Sequence, residues 1–419
     1  MMKTVCLKLR NIALGFLTLI LNIFIRRDKK VLLFGSWMGS KFADNPRFLY
    51  QYISQNKDVY GIKEIVWVTR NQMVYDEMKE MGYCVYMMHS IQSYYYHIKA
   101  GFHIICNIHS SGVFPGDIIG ELSHGAIKVQ LWHGVAIKAS GHTTNVYKNL
   151  VKNMGWVEKI KLFLHSNNFI NHYIMYPGGW DSPYYLVTSE ENARVMKNCF
   201  EIKDEKLIMS SYPRWYPNNE YTRSETIIIN KFTKFKKKYK TIILYLPTFR
   251  DGIEGYNKYI HPLKVKGILD YIEKNNILWV EKAHNASTFK MSDFSSTNQM
   301  KLDMNFDIDL VYNYADLVIT DYSSVSSDAI FKDIKTLYFV PDYDGFLNRD
   351  RGFVNIFELY CPGYIVKNTE KLLYYLNLAL FGDYFDEDMK TRYKNTKELL
   401  FGYKQRSMND IVLDILKIE

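Results

Sequence analysis

Four short apolar runs in this chain end abruptly in polar residues of chemically capable types. Leu131 leads into Trp132-His133-Gly134, with Lys138 and His142 close behind. Ile242 to Leu246 leads into Pro247-Thr248-Phe249-Arg250-Asp251, and Ile277 to Val280 into Glu281-Lys282-Ala283-His284-Asn285. Leu317 to Ile319 leads into Thr320-Asp321-Tyr322-Ser323-Ser324. Imidazole, ammonium, guanidinium and hydroxyl groups collected in this way suit an anion. An imidazole can take a proton from a hydroxyl near neutral pH. The run from Asp321 to Phe331 reads as strand end, cap and helix, so free N–H groups at the helix start would add to a phosphate site. Competing readings are simple helix capping by Ser323 and Ser324 and core packing for His133 or His284. The sharp strand-end position favours the site.

The elements that must position these clusters alternate along the chain. Strands are expected at Val31–Phe34, Ile65–Val68, Cys84–Met87, His103–Cys106, Lys128–Leu131, Tyr185–Thr188, Ile242–Tyr245, Ile277–Val280, Leu317–Thr320 and Leu337–Val340. Helix-like stretches separate many of them, among them Pro46–Ser54 and Glu190–Phe200, the latter behind Ser189 as N-cap. Such alternation predicts parallel sheets covered by helices, and this many strands suggest two of them. Ligands of open α/β sheets bind at the carboxyl ends of the strands. One cluster therefore sits on the rim of a first domain and three on the rim of a second, and facing sheets would enclose a cleft. The best boundary lies within Pro217–Lys240, which divides the chain into residues 1–30, 31–222 and 223–419, with the last helix a candidate to pack back on the first domain.

Composition narrows the classes. With 419 residues, 47% apolar and 23% charged, the chain can build two full cores. A formal charge of +9 favours anionic partners but is too diffuse for a nucleic-acid binder. Cys6, Cys84, Cys106, Cys199 and Cys361 are scattered without Cys-x-x-Cys spacing, which argues against a disulfide scaffold or a zinc ribbon. Neither a Walker loop nor a Gly-x-Gly-x-x-Gly turn occurs. No carboxylate cluster demands a metal, and no cofactor is expected.

The long apolar run, Asn11–Ile25, has basic residues on both flanks: Lys3, Lys8 and Arg10 before it, Arg26, Arg27, Lys29 and Lys30 after it. Asn11, Gly15, Thr18 and Asn22 fall on one helical stripe. The preferred reading is a membrane-associating helix lying in the headgroup region. A short transmembrane anchor and an ordinary core helix are the alternatives.

At the polar clusters the chain resembles the CDP-glycerol glycerophosphotransferases, the primases and polymerases of teichoic-acid and capsule polymers. The resemblance runs from about Phe34 to about Gly363. It is carried in order by Ala43-Asp44-Asn45-Pro46-Arg47-Phe48-Leu49-Tyr50, Gln130-Leu131-Trp132-His133-Gly134 with Lys138, Tyr212-Pro213-Arg214, Leu246-Pro247-Thr248-Phe249-Arg250, Ile319-Thr320-Asp321-Tyr322-Ser323-Ser324, Arg351-Gly352-Phe353 and Pro362-Gly363. It implies an α/β fold of the GT-B type, two Rossmann-like domains with parallel sheets facing a cleft. It further implies transfer of an alditol phosphate from CDP-glycerol or CDP-ribitol to a hydroxyl of a polyprenyl-linked or polymeric acceptor, with release of CMP. The expected place is the cytoplasmic face of the cell membrane, peripheral or monotopic.

Within that frame His133 is expected as general base on the acceptor hydroxyl, with Lys138 beside the acceptor. His284, Lys282 and Arg250 are expected to neutralise the diphosphate, with Thr248, Asp321, Ser323 and Ser324 lining the donor site and Asp328 binding a donor hydroxyl. A nucleotide-sugar glycosyltransferase of the same fold and a non-catalytic membrane-bound partner of a polymer assembly complex are the competing functions.

Overall fold

A computed structural model describes residues 2–107, 116–156, 160, 167–216, 220–248, 260–282, 298–349, 352–403 and 406–419. Two parallel sheets form from the β-branched and aromatic runs. The first comprises β1 (Asp28–Phe34), β2 (Glu64–Thr69), β3 (Val85–Met87), β4 (Ala100–Ile105), β5 (Ile127–Gln130), β6 (Tyr184–Val187) and β7 (Leu207–Met209), in the order β3-β2-β1-β4-β5-β6-β7. The second comprises β8 (Thr241–Leu246), β9 (Ile277–Glu281), β10 (Gln299–Lys301), β11 (Leu317–Thr320), β12 (Lys335–Phe339) and β13 (Tyr364–Val366), in the order β10-β9-β8-β11-β12-β13. Strands β8 and β11 are buried end to end and β1 over its last four residues, as strands covered on both faces must be.

Strand order reverses once in each sheet, between β1 and β4 and between β8 and β11. The loops leaving two adjacent strands part at such a point and open a crevice. Both crevices face the same cleft, and this is what brings the polar clusters together.

The halves are sewn to each other at several places. Lys138 and Phe353 form an antiparallel bridge, flanked by Ala139 N–H to the Gly352 carbonyl (3.0 Å) and Val354 N–H to the Ile137 carbonyl (3.2 Å). Helix Arg223–Lys238 starts at a capping box in which Thr222 and Glu225 satisfy each other's backbone N–H groups. Glu225 also holds the buried Arg47 guanidinium of helix α2 (Asp44–Asn56) through both of its oxygens. The final helix, Met408–Leu416, packs on α2, with Ser210 Oγ donating to Asp414 and the Tyr60 hydroxyl to Asn409.

Helix α1 (Met2–Phe24) carries the long apolar run. Its polar stripe meets protein instead of headgroups. Asn11 and Thr18 are buried, Asn22 Nδ2 donates to the His124 carbonyl at 2.6 Å, and Gly15 lies against Pro177 and Gly178. Arg27 is likewise spent inside, donating to the carbonyls of His97, Ala100, Leu122 and His124. A polar group is costly to bury unpaired, and these carbonyls supply the partners. Leu17, Ile20, Ile23 and Phe24 are left on the outer surface, the last two 78% and 79% exposed. By length and composition Cys6–Phe24 is apolar enough to cross a membrane, but its stripe docks it along the first domain.

Candidate active site

The cleft between the sheets has a volume of about 350 Å³. Its first wall begins with the loop after β1. Two non-glycine residues there, Trp37 and Met38, have positive φ (45° and 57°), as do Asp44 at the start of α2 (65°) and Trp132 across the crevice (58°). Such conformations cost roughly 1–3 kcal/mol each and persist only where the surroundings over-determine them. Here Asp117 supplies part of that force. Its carboxylate accepts from the N–H groups of Met38 (2.6 Å), Cys106 (2.9 Å) and Asn107 (2.9 Å), so it ties the loop after β1 to the end of β4. Asn45 adds a second tie by donating from Nδ2 to the Trp132 carbonyl at 3.0 Å.

This framework orients His133. Its Nδ1 lies 2.9 Å from the Cys106 carbonyl. A carbonyl only accepts, so Nδ1 carries the proton and Nε2 keeps its lone pair. Trp132 stacks on the ring and Trp37 leans against it. Burial lowers the imidazole pKa from its ordinary value, since the charged form is the one burial disfavours. The result is a neutral imidazole poised to accept a proton.

The second wall carries Lys282 after β9 and Ser323 and Ser324 after β11. Ser324 makes no side-chain cap to the helix that follows, Val325–Phe331. Gly134 sits against it: a Cβ on Gly134 would stand 2.7 Å from Ser324 Oγ. The Trp-His-Gly loop of the first domain and the Tyr-Ser-Ser loop of the second therefore touch. Burial lowers the Lys282 pKa, with Asp307 and Asp309 opposing the shift.

Of the residues expected at the site, His133, Lys138, Lys282, Ser323, Ser324 and Asp328 line this one cleft. Thr248 and Asp321 lie behind its wall. Asp321 Oδ1 accepts from the N–H groups of Thr248 (2.8 Å) and Tyr322 (2.6 Å), bracing the ends of β8 and β11 against each other. Arg250 and His284 lie outside the described residues, as do Phe249 and Arg351 of the same motifs.

Asp328 is committed elsewhere than the expected donor hydroxyl. Arg214 donates to both of its oxygens at 3.0 and 2.8 Å, and Trp215 Nε1 donates at 2.7 Å. The third guanidinium nitrogen of Arg214 reaches Asp44 at 2.7 Å. Burial works against the charge on Arg214, but Asp328 and Asp44 outweigh it and hold the guanidinium protonated. Arg214 thus joins α2 of the first domain to the helix after β11 of the second.

Sequence reasoning gave no site role to Trp37, Lys41, Asp44, Arg214, Asp307 and Asp309, all of which line the cleft, although Asp44 and Arg214 stand in motifs that carry the resemblance. For Trp37 and Lys41 a signal existed. They follow β1 just as the four polar clusters follow their strands, and the strand-end rule applies to them equally.

Two Rossmann-like units facing each other across a cation-bearing cleft at their switch points are the GT-B architecture. The chain matches the model of the CDP-Glycerol:Poly(glycerophosphate) glycerophosphotransferase family over residues 17–417, and it belongs to that family. It is similar to the teichoic acid poly(glycerol phosphate) polymerase of Bacillus spizizenii, 26% identical over 89% of this chain and 90% of that one. It is also similar to the teichoic acid glycerol-phosphate transferase of Staphylococcus aureus, 21% identical over 83% of each chain. Among solved structures it shares the fold of the wall teichoic acid polymerase TagF, with a TM-score of 0.68 at 18% identity over 99% of this chain and 96% of that one.

Proposed function

We propose that this enzyme transfers glycerol phosphate from CDP-glycerol to a hydroxyl of a lipid-linked or polymeric acceptor in teichoic-acid synthesis. The contact of Gly134 with Ser324 carries the reading, because it places the His133 imidazole and the phosphate-suited groups of the second domain in one cleft. The acceptor hydroxyl attacks the phosphorus that bears the glycerol. His133 Nε2 takes the hydroxyl proton as the new P–O bond forms. The bond from that phosphorus to the bridging oxygen breaks, and CMP leaves with the electron pair. Lys282 and the groups at Ser323 and Ser324 offset the charge on the diphosphate, and Lys138 stands on the acceptor side. Asp321 and Thr248 support the donor wall from behind. Asp328 and Arg214 hold the two domains at the spacing this alignment needs.

The enzyme works, in this reading, at the cytoplasmic membrane surface. Support comes from α1, whose outer face offers Leu17, Ile20, Ile23 and Phe24 while its polar stripe is consumed by the domain beneath. An apolar face beside Lys8, Arg10, Arg26, Lys29 and Lys30 suits the boundary of an anionic bilayer. It also holds the cleft near a lipid-linked acceptor.

The test is incubation of the purified full chain with labelled CDP-glycerol or CDP-ribitol and a polyprenyl-diphosphate saccharide acceptor, followed by CMP release and product sizing. Turnover of CDP-glycerol is expected. Turnover of UDP-hexoses with none of CDP-glycerol would overturn the assignment.

A further inference from the structure

Among the described residues four carboxyls line the cleft, those of Asp44, Asp307, Asp309 and Asp328. Three of them are spent on protein groups. Asp44 Oδ1 accepts from Arg214 and from the Asn45 N–H, and its Oδ2 accepts from Trp37 Nε1. Asp307 accepts from the N–H groups of Asp44 and Asp309, one on each oxygen. Both oxygens of Asp328 are held by Arg214, and Trp215 adds a further bond. Asp309 differs. It sits in the turn Ile308–Leu310 after β10, and its side chain is 6% exposed. Among the described residues its buried Oδ1 has no hydrogen-bond partner. Arg214 Nε lies 3.9 Å from that oxygen, but Nε carries one proton and gives it to Asp328 at 3.0 Å.

A carboxyl oxygen buried without a partner is costly, and in a ligand cleft the ligand can supply the missing bond. The surroundings select the kind of group. Arg214, Asp307, Asp328 and Asp44 act on Asp309, and Asp309 attracts Lys282. The three further acids disfavour a phosphate at this spot. A divalent cation wants several free oxygens, and the other carboxyls are already spent. A neutral hydroxyl fits. Burial raises the Asp309 pKa well above its ordinary value, with the neighbouring acids adding to the shift and Arg214 opposing it. In its neutral form the carboxyl both accepts from a hydroxyl and donates to one.

Position selects the hydroxyl. A Cβ on Gly134 would lie 2.7 Å from Ser324 Oγ and 3.6 Å from Arg214 Nη2, so the guanidinium beside Asp309 abuts the contact where the two domains meet. The transferred phosphorus belongs at that contact, between His133 and the serines. Glycerol is esterified to this phosphorus, so its hydroxyls stay within a few bonds of the reacting centre, whereas the ribose and the base lie beyond the second phosphate. We propose that Asp309 reads the alditol: its carboxyl binds a free hydroxyl of the donor's glycerol, the role that Asp328, held by Arg214 and Trp215, does not fill. The inference rests on the CDP-glycerol reading and deepens it, since it names the group by which the cleft tells a polyol phosphate from a plain alkyl phosphate. A site built to bind a hydroxyl discriminates strongly against an analogue that lacks it, because its own polar group is then left unpaired.

The experiment is calorimetric titration of the full chain, without acceptor, with CDP-glycerol, with the CDP ester of 1-propanol, which lacks both free hydroxyls, and with CMP. Wild type is expected to bind the propyl ester about 5- to 100-fold more weakly than CDP-glycerol. Asp309→Ala is expected to abolish that difference by weakening CDP-glycerol while leaving the propyl ester and CMP unchanged. Asp309→Asn, whose amide also accepts and donates, is expected to keep most of it. Full discrimination in Asp309→Ala would overturn the inference, as would an equal loss for both esters and CMP, the mark of a brace. Should Asp309→Ala not fold, the wild-type comparison keeps the test decisive: equal affinity for the two esters overturns the inference. No binding of CDP-glycerol by the wild type would instead overturn the functional reading on which it rests.

Discussion

Arg214 offers the sharpest test of how the cleft is held. Replacing it with Met removes three charge-assisted hydrogen bonds, two to Asp328 and one to Asp44, and leaves both carboxylates buried. Removing one partner of a buried ion pair costs about 3–5 kcal/mol, most of it the stranded charge. Two stranded carboxylates set the loss near the top of that range, less what they recover by protonation. At about 2–4 °C per kcal/mol for domains of this size, Arg214→Met lowers Tm by about 10–20 °C. The assay is differential scanning calorimetry between pH 5 and 8. Burial already raises the Asp328 pKa, with Arg214 opposing the shift, so loss of the guanidinium raises it further above its unfolded value. The penalty is then full at pH 8 and relieved as pH falls through the raised value, so the gap to wild type narrows toward pH 5. Combining Arg214→Met with Asp328→Asn, which removes one of the stranded charges, recovers part of the loss. A Tm change under 2 °C, independent of pH, would refute the view that this network couples the domains.

Other substitutions probe the rest of the site. His133→Gln lowers kcat by about 10²- to 10⁴-fold with Tm unchanged. Because burial depresses the pKa of His133, wild-type kcat at saturating donor rises with pH below the ordinary histidine value and then levels; a rise centred above it refutes the assignment of the base. Gly134→Ala forces its new Cβ against Ser324 and destabilises by about 1–3 kcal/mol. A melting curve of the Gly134→Ala, Ser324→Gly double variant then shows recovery if the two loops touch in solution. Ile23→Asp with Phe24→Asp, on the outer face of α1, reduces sedimentation with anionic vesicles several-fold and leaves Tm and soluble-acceptor turnover intact. Unchanged sedimentation removes α1 from the membrane contact.

Much of the fold was legible because it is written in local pattern. Every expected strand from Val31 to Val340 appears, within three residues at its ends, and the parallel order follows from the helices between them. The strands that went unread, β7, β10 and β13, have three residues each and lie at sheet edges. A strand paired on one side needs no long buried run, so it leaves little hydrophobic signal. At the site, His133, Lys282, Ser323 and Ser324 were legible for a related reason: they directly follow strands whose carboxyl ends the fold must gather.

What the chain by itself determined is this local part: two parallel α/β units, polar clusters at their strand ends, and an apolar N-terminal helix with one polar stripe. Tertiary structure alone decided which cluster members face the cleft and which, like Asp321, turn back to brace it. It alone paired Arg214 with Asp328 across 114 positions of sequence and turned the stripe of α1 inward. It alone brought Lys41 and Lys282 to one cleft. Pattern along a chain reports a residue's neighbours within a few positions. Burial and charge pairing depend on groups brought from far away, and those fix what a lysine, an aspartate or an apolar face can do.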